Sequence, residues 1–231
     1  MIKKILDFFY PPICPFCKEI LEDNVPVCKN CLSTLPFVPD ECCSICSSPT
    51  PELSHHICAN CRNEKMYFKH SFVPLIYKDA AKDCAIALKS GHPYYAKGIA
   101  YLMADKILAS EYYTKFDCIT FVPQSPKGKF DRGYNQSQLI AKELSKLLKT
   151  PCISYLERTN DGKDQHTLSA FERKRNVRKC YFPTNKKGSG TVLLVDDIYT
   201  TGATANYCSY LLRKMGFDKV YTTVGFIRTS D

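Results

Sequence analysis

From about residue 70 onward the apolar positions of this chain fall into two alternating patterns. Residues 192–195, Val-Leu-Leu-Val, form a continuous apolar run, as expected of a strand buried on both faces of a parallel sheet. Residues 72–77, 118–122 (ended by Pro123), 152–156 and 219–227 read as further strands. Between them the spacing turns helical. Residues 79–88 form one helix, ending near Lys89-Ser90-Gly91, and Ile99, Leu102, Met103 and Ile107 mark the core face of another. Leu139, Ile140, Leu144, Leu147 and Leu148 mark a third, and residues 203–215, stopped by Gly216, a fourth. Strands alternating with helices predict an α/β fold with a right-handed, mostly parallel sheet.

Residues 14–61 obey neither period and carry cysteines instead. Four pairs, each separated by two residues, stand at Cys14/Cys17, Cys28/Cys31, Cys43/Cys46 and Cys58/Cys61. Intervals of 10 residues (18–27) and 11 residues (47–57) separate the pairs of each successive couple. Each pair is a thiolate knuckle, and two knuckles supply the four sulfurs of a tetrahedral structural zinc site. Two zinc ions in a double ribbon are therefore expected; the matched gaps favour consecutive pairing, and spacing alone leaves a cross-braced arrangement open. Cys42 breaks the two-residue spacing, and His55 and His56 read as exposed loop residues rather than ligands. Cys84, Cys118, Cys152, Cys180 and Cys208 lack ligand spacing and read as small core residues.

With 231 residues, the chain suits a substantial core with a small appendage, and we expect a ribbon domain over 1–66 and an α/β domain over 67–231. No apolar stretch approaches the ~20 residues that span a bilayer. The apolar start is interrupted by Asp7 and ended by Pro11-Pro12, so it reads as a short amphipathic helix rather than a signal peptide. These features suggest a cytoplasmic protein. Its net charge of +9 is uneven: residues 1–66 hold 6 Lys/Arg and 8 Asp/Glu, and the remainder holds 26 and 15. The α/β part is the basic part, which suits a polyanionic ligand or nucleic acid.

The candidate chemistry begins where the run 192–195 ends. Asp196 and Asp197 stand at the carboxyl end of that strand, where open α/β sheets bind ligands. Thr200-Thr201-Gly202-Ala203-Thr204 then opens a helix, and its free N–H groups, hydroxyls and dipole make a phosphate seat. Two adjacent acids can accept hydrogen bonds from vicinal ribose hydroxyls while that turn holds a 5′-phosphate. Along all thirteen residues, 192–204 resembles the phosphoribosyl pyrophosphate (PRPP) loop of type I phosphoribosyltransferases. Two basic stretches accompany it. One is 124–136, with Lys127, Lys129 and Arg132; the other is 158–180, with Arg173, Lys174, Arg175, Arg178 and Lys179.

The cysteine pairs, Arg-Gly-Tyr-Asn-Gln at 132–136, Gln165, Leu168, Arg173 and Arg175-Asn176, and the PRPP-like loop occur in one order. Together they resemble the ComF family, competence-associated phosphoribosyltransferase-like proteins of ComFC type with an amino-terminal double zinc ribbon. The resemblance implies a type I phosphoribosyltransferase fold behind the ribbons. It implies that Asp196 and Asp197 grip the ribose hydroxyls and that Thr200, Thr201, Gly202, Ala203 and Thr204 hold the 5′-phosphate. Arg132, with Lys127 or Lys129, and one of Arg173 or Arg175 would neutralise pyrophosphate; Lys89, placed where the family tends to carry a lysine, would join the PRPP site, with magnesium carried by PRPP and water, and 158–180 would close as a lid. Asp196, Asp197 and Arg132 would then serve phosphoribosyl transfer to an unidentified acceptor. It also implies a helicase-like partner in DNA uptake, at the inner face of the membrane. The competing reading is a non-catalytic accessory protein that binds single-stranded DNA, with Phe130, Tyr134 and Phe171 as bases' stacking partners, although core packing suits any one of them as well.

Overall fold

A computed structural model describes residues 11–21, 25–50, 56–159 and 177–229. The expected amino-terminal helix, His55, and the positions from 160 to 176 (Gln165, Leu168, Phe171, Arg173, Lys174, Arg175 and Asn176 among them) lie outside the described residues.

Two short helices, α1 (Lys29–Thr34) and α2 (Ala59–Asn63), belong to the cysteine region. Next come strands β1 (Ser71–Phe72) and β2 (Leu75–Ile76), helix α3 (Asp79–Lys89) and helix α4 (Ala96–Leu108). Strand β3 (Cys118–Phe121) leads to α5 (Pro126–Arg132) and α6 (Gln136–Leu147), then to β4 (Leu156–Arg158). Strand β5 (Tyr181–Pro183), β6 (Thr191–Tyr199), α7 (Ala203–Lys214) and β7 (Lys219–Ile227) complete the order.

The main sheet runs β1, β7, β6, β3, with β2 also on β7, and every pairing in it is parallel. The α/β expectation therefore holds, with three local corrections. The strand expected at 72–77 is split, because Pro74 has no N–H to donate; its carbonyl accepts from Val38 at 2.9 Å instead. The strand expected at 152–156 does not form. Only Cys152 bridges Ile119, and the chain then leaves the sheet so that β4 pairs antiparallel with β5. The stretch 124–136, read as a loop, contains α5. Its signals were legible one by one: Ser125 caps the Gly128 N–H, Pro126 opens the helix, and Gly133 closes it at φ 76°. No residue of α5 is buried, so there was no apolar period to announce it.

Successive residues of β6 serve opposite faces of the sheet. Leu193 and Val195 join one buried cluster, with Cys84 and Leu88 of α3, Met103 of α4 and Leu144 of α6. Val192 and Leu194 join the other, with Cys208, Leu211 and Leu212 of α7. Each cluster also takes in part of the cysteine region: Cys14, Phe16, Val27 and Cys31 on the first face, Cys43, Cys46 and Cys61 on the second. Of the unspaced cysteines, Cys84, Cys118, Cys180 and Cys208 are buried, as expected of core residues, and Cys152 is half-buried. Among the described residues, no helix is long and apolar enough to cross a membrane.

The first cysteine unit presses closely on α4. A Cβ at Gly98 would lie 2.5 Å from Pro15 Cγ and 3.0 Å from the Pro26 carbonyl oxygen. An alanine in a helix is ordinarily about 1 kcal/mol better than glycine. Here overpacking should outweigh that gain, and Gly98→Ala is expected to destabilise the zinc-loaded chain by about 1–2 kcal/mol. Urea denaturation checks this; a gain in stability would show that the ribbon is not held against α4.

Candidate functional site

Strand β3 pairs with β6 only as far as Phe121 opposite Val195, after which Pro123 turns the chain away. Strand β6 continues through Ile198 and Tyr199 on β7 alone, so Asp196 and Asp197 lie within the strand rather than just after it. The step left by β3 opens a cavity of about 320 Å³ over this edge, within the range of small-molecule sites.

The two acids are held differently. Asp196 Oδ1 accepts from Ser137 Oγ at 2.9 Å and from the Asp197 N–H at 2.9 Å. Asp197 Oδ2 pairs with Lys89 Nζ at 2.8 Å, and its Oδ1 accepts the Ile198 N–H at 2.8 Å. Burial, and then the neighbouring Asp197 charge, push the Asp196 carboxyl up to about 7. Burial opposes ionisation of Asp197 too, but Lys89 overcomes it and holds that carboxyl below its ordinary value. Lys89 in turn is held above the usual lysine range: burial works against its charge, and Asp197 prevails.

Beyond them Gly202 adopts φ 75° as the cap of α7, a left-handed conformation that glycine takes at little cost. The first intrahelical bond runs from the Asn206 N–H to the Gly202 carbonyl at 2.8 Å. By helix geometry the N–H groups of Thr204 and Ala205 precede that ladder, facing outward with the positive end of the dipole, while that of Ala203 turns to Thr201. Thr200, Gly202, Ala203 and Thr204 all line the cavity, together with Lys89, Arg132, Asp196 and Asp197. Thr201 and Lys129 are not among the lining residues. Thr201 Oγ1 accepts the Ala203 N–H at 3.4 Å, while Lys129 sits exposed on α5. Arg173 and Arg175 lie outside the described residues.

The segment Arg132–Gln136 resolves into separate tasks. Arg132 reaches the cavity. Tyr134 donates its hydroxyl hydrogen to the Leu88 carbonyl at 2.7 Å and accepts the Gly91 N–H at 3.1 Å, fixing the turn that follows Lys89. Asn135 donates to the Val122 carbonyl at 3.1 Å and caps α6 through the Gln138 N–H at 3.3 Å. Sequence reasoning missed Gln124, Ser137, Arg158, Tyr181 and Arg228 as cavity residues. Gln124 was findable as the first polar residue beyond β3, and Ser137 as the residue directly after the motif. Among the described residues, both side-chain polar atoms of Gln124 and the Nε2 of Gln136 are buried without partners. Four basic side chains (Lys89, Arg132, Arg158 and Arg228) face two acids here, a balance that favours a polyanion.

The cysteines form two separate clusters by consecutive pairing, which decides the question that spacing left open. Sulfurs of Cys14, Cys17, Cys28 and Cys31 lie within 4.8 Å of one another, as do those of Cys43, Cys46, Cys58 and Cys61. The Cys17–Cys28 and Cys46–Cys58 sulfurs are 3.6 Å apart. Zinc–sulfur bonds of about 2.3 Å in a tetrahedron imply an edge of roughly 3.8 Å, so both sets fit zinc. Both units are built alike. Lys18 and Ser47, each following the second cysteine of a knuckle, take left-handed φ of 67° and 58°, and Cys28 and Cys58 cap α1 and α2. Four sulfurs close each site, which makes these structural centres. Cys42 stays outside the second set and bridges Pro49, and His56 contributes its carbonyl to the Ser44 N–H.

Comparison with known proteins supports the ribbons and extends over most of the chain. Residues 5–65 match the family described as the double zinc ribbon domain. Over 219 residues the chain is 26% identical to Competence protein F of Haemophilus influenzae, spanning 84% of this chain and 93% of that protein. It is 25% identical to Competence protein ComFC of Bacillus subtilis over 207 residues, 85% of this chain and 82% of that one. It is also 27% identical to DNA utilization protein YhgH of Escherichia coli over 212 residues, 89% and 92% respectively. These homologues bear out the resemblance that the motifs carried.

Metal analysis of the reduced protein should therefore return close to two zinc ions per chain. Cys28→Ser should lose one ion and Cys58→Ser the other, each with a lowered unfolding temperature. Protein that folds fully without metal would refute the assignment.

Proposed function

We infer that this chain, homologous over most of its length to competence proteins, binds PRPP with magnesium in the cleft between β6 and α7 and serves the uptake of DNA. The observation that carries the reading is the pairing of two carboxylates with a helix start in one cavity: Asp196 and Asp197 lie beside the outward N–H groups of α7. Asp196 and Asp197 accept the ribose 2′- and 3′-hydroxyls. The α7 start and the hydroxyls of Thr200, Thr201 and Thr204 take the 5′-phosphate. Magnesium would be held through pyrophosphate, sugar oxygens and water, neutralising the leaving charge. Lys89 is tied to Asp197 without ligand; when the ribose hydroxyls take its place, its ammonium turns with Arg132 to the pyrophosphate.

Transfer breaks the bond between the ribose anomeric carbon and pyrophosphate and forms one to an acceptor, here not identified. Positioning and stabilisation of the departing anion are what such chemistry requires of the protein. No side-chain nucleophile is called for. In this reading residues 1–66 are the ribbon part and 67–231 the PRPP-binding part, working in the cytoplasm.

Calorimetric titration with PRPP and magnesium tests this directly. Asp197→Asn, folded and zinc-loaded, should weaken binding by tenfold or more. The ionised form of Asp196 accepts hydroxyl hydrogens, and its carboxyl stands near 7. Affinity should thus rise from pH 6 to pH 8, and Asp196→Asn should remove that part of the rise. No binding to the wild-type chain would sink the reading.

A second surface favours the accessory, single-stranded-DNA reading. Tyr67, Tyr207 and Tyr210 line a separate cavity of about 390 Å³ with Arg178. The Tyr67 and Tyr210 rings meet edge to face at 5.0 Å, and Tyr207 stacks on Tyr210 at 5.8 Å. Lys65 and Lys214 stand over Tyr67 and Tyr210 at 5.5 and 5.8 Å. Aromatic faces flanked by cations suit unpaired bases on a phosphate chain. Of the aromatics first considered, Phe130 is 89% exposed and free to stack, contrary to a core role, while Tyr134 is committed to the Lys89 turn. Binding of an oligothymidylate should fall steeply with salt, and Tyr207→Ala with Tyr210→Ala should cost ~1–3 kcal/mol per stacked base. Salt-insensitive binding, or binding indifferent to both tyrosines, would count against this surface.

A further inference from the structure

The cleft holds more cations than the PRPP reading uses. Lys89 and Arg132 are assigned there to pyrophosphate, and Arg158 stands over the Tyr181 ring at 5.2 Å where β4 pairs with β5. Arg228 is left. Among the described residues it has no carboxylate within ion-pair distance. Its exposed side chain borders the cavity, with the guanidinium over the Tyr77 ring at 5.2 Å.

Both members of this pair are fixed through their backbones. The Arg228 N–H donates to the Tyr199 carbonyl at 2.9 Å, and the Tyr77 N–H to the Ile227 carbonyl at 2.7 Å, so each extends the sheet just past a strand end. The Tyr77 ring also meets Phe226 edge to face at 6.4 Å. A guanidinium over an aromatic face is held by cation–π attraction, and its planar fork can give two N–H bonds to one carboxylate or phosphate. The pair is thus a preformed seat for an oxyanion.

Its place in the cleft separates this seat from pyrophosphate. Strand β6, which carries Asp196 and Asp197, lies between β3 and β7. Arg132 and the Lys89 turn belong to the β3 side: Arg132 ends α5, and Tyr134, two residues on, binds the Leu88 carbonyl and the Gly91 N–H. Arg228 follows β7 and Tyr77 follows β2, both on the other side, where Val224 adds an apolar lining residue. With the ribose held on the acids between them, pyrophosphate departs toward β3 and the acceptor enters from β7. A nitrogen lone pair of the acceptor then bonds the anomeric carbon, the departing oxygen keeps the old bonding pair, and any proton shed by that nitrogen passes to water.

We propose that Arg228, held over Tyr77, reads the acceptor of the cleft, and that this acceptor is a nitrogen compound bearing a carboxylate or phosphate. Its role as acceptor rests on the PRPP reading above; the oxyanion seat does not. Arg228 is the specificity-determining residue, and Tyr77 positions it.

The test uses the full, zinc-loaded chain and three probes. Benzoate and phenyl phosphate each offer an oxyanion on a ring, and benzamide offers a similar ring without charge. Phenylglyoxal modifies accessible arginines, and peptide mass spectrometry reads its rate at Arg228. Either oxyanion should slow modification of Arg228, and benzamide should not. PRPP with magnesium should slow modification of Arg132 and leave Arg228 reactive. By saturation-transfer NMR, Arg228→Gln should bind benzoate about tenfold or more weakly, the loss expected for a hydrogen bond to a charged group. Tyr77→Leu, which retains the arginine, should lose most of the protection. Arg228 left unprotected by both oxyanions overturns the proposal, and so does equal protection by benzamide, the mark of apolar contact alone. Protection intact in Tyr77→Leu overturns the part given to the ring. Protection of Arg228 by PRPP itself overturns the acceptor assignment, since the arginine then belongs to the PRPP site. Should the wild type bind no PRPP, the function reading fails and takes the acceptor role with it, while the benzoate result still decides the oxyanion seat.

Discussion

The site depends on a mismatch of strand lengths. Strand β6 keeps its partner β7 through Tyr199 opposite Ile227, while β3 is lost after Val195. A central strand with both neighbours intact would have its edge sealed, and its carboxyl end would be a buried apolar run to the last residue. Ending one neighbour four residues early leaves the strand rigid on one side and open on the other. Past Val122, whose N–H still donates to the Val195 carbonyl at 2.9 Å, the chain turns at Pro123 toward α5, and the Val122 carbonyl accepts from Asn135 rather than from β6. The Asp197 N–H, beyond the last β3 pair, is taken by the Asp196 carboxylate at 2.9 Å. Polar groups thus replace a missing strand, and the cavity forms where the replacement begins.

The ribbons are part of the same construction rather than a bead on a string. First-ribbon residues share a buried cluster with α3, α4 and α6, and second-ribbon residues share one with α7. A sheet buried on both faces needs cover on both, and on the second face α7 shares that role with ribbon cysteines. Asn206 of α7 accepts the Tyr67 N–H at 2.8 Å and donates to the Lys65 carbonyl at 3.0 Å, pinning the helix whose start lines the cleft to the segment leaving the second ribbon. Val38, between the ribbons, also binds the Pro74 carbonyl. Metal that orders four cysteines therefore also orders part of the core, and small units with so little apolar mass of their own depend on such staples.

What could be read from the chain alone follows the strength of local signals. The zinc ligands were fully legible because the coordination chemistry forces a fixed spacing. Strand β7 was legible at both ends, from an apolar run bounded by Gly216 and Arg228. Helix α5 was not, because a helix that buries nothing carries no period, only caps. The failure at 152–156 has a different origin: an apolar run says that a segment is buried, not which neighbour it chooses, and β4 found β5 across a long insertion. In the cleft, Asp196, Asp197, Lys89 and Arg132 were visible through motif chemistry, whereas Gln124, Arg158 and Arg228 arrive from separate strand ends that only the sheet order brings together.

Adjacent residues of a strand leave opposite faces, which makes two consecutive acids a poor choice for most sites. Here both acids find partners on helices that cover the same face, Asp196 at Ser137 at the start of α6 and Asp197 at Lys89 at the end of α3. Both border one cavity, at a level where β3 no longer pairs with β6. Their environments drive their titration apart, one toward neutrality and the other firmly ionised. For the fold alone this is an expensive arrangement, with two carboxyls buried against a single lysine. A ligand offering two hydroxyls and several anionic oxygens would supply what each group lacks. Hydroxyl hydrogens suit the acids, and phosphate oxygens suit the cations around them. The polar surplus of the cleft thus suits a ligand that carries hydroxyls as well as anionic oxygens.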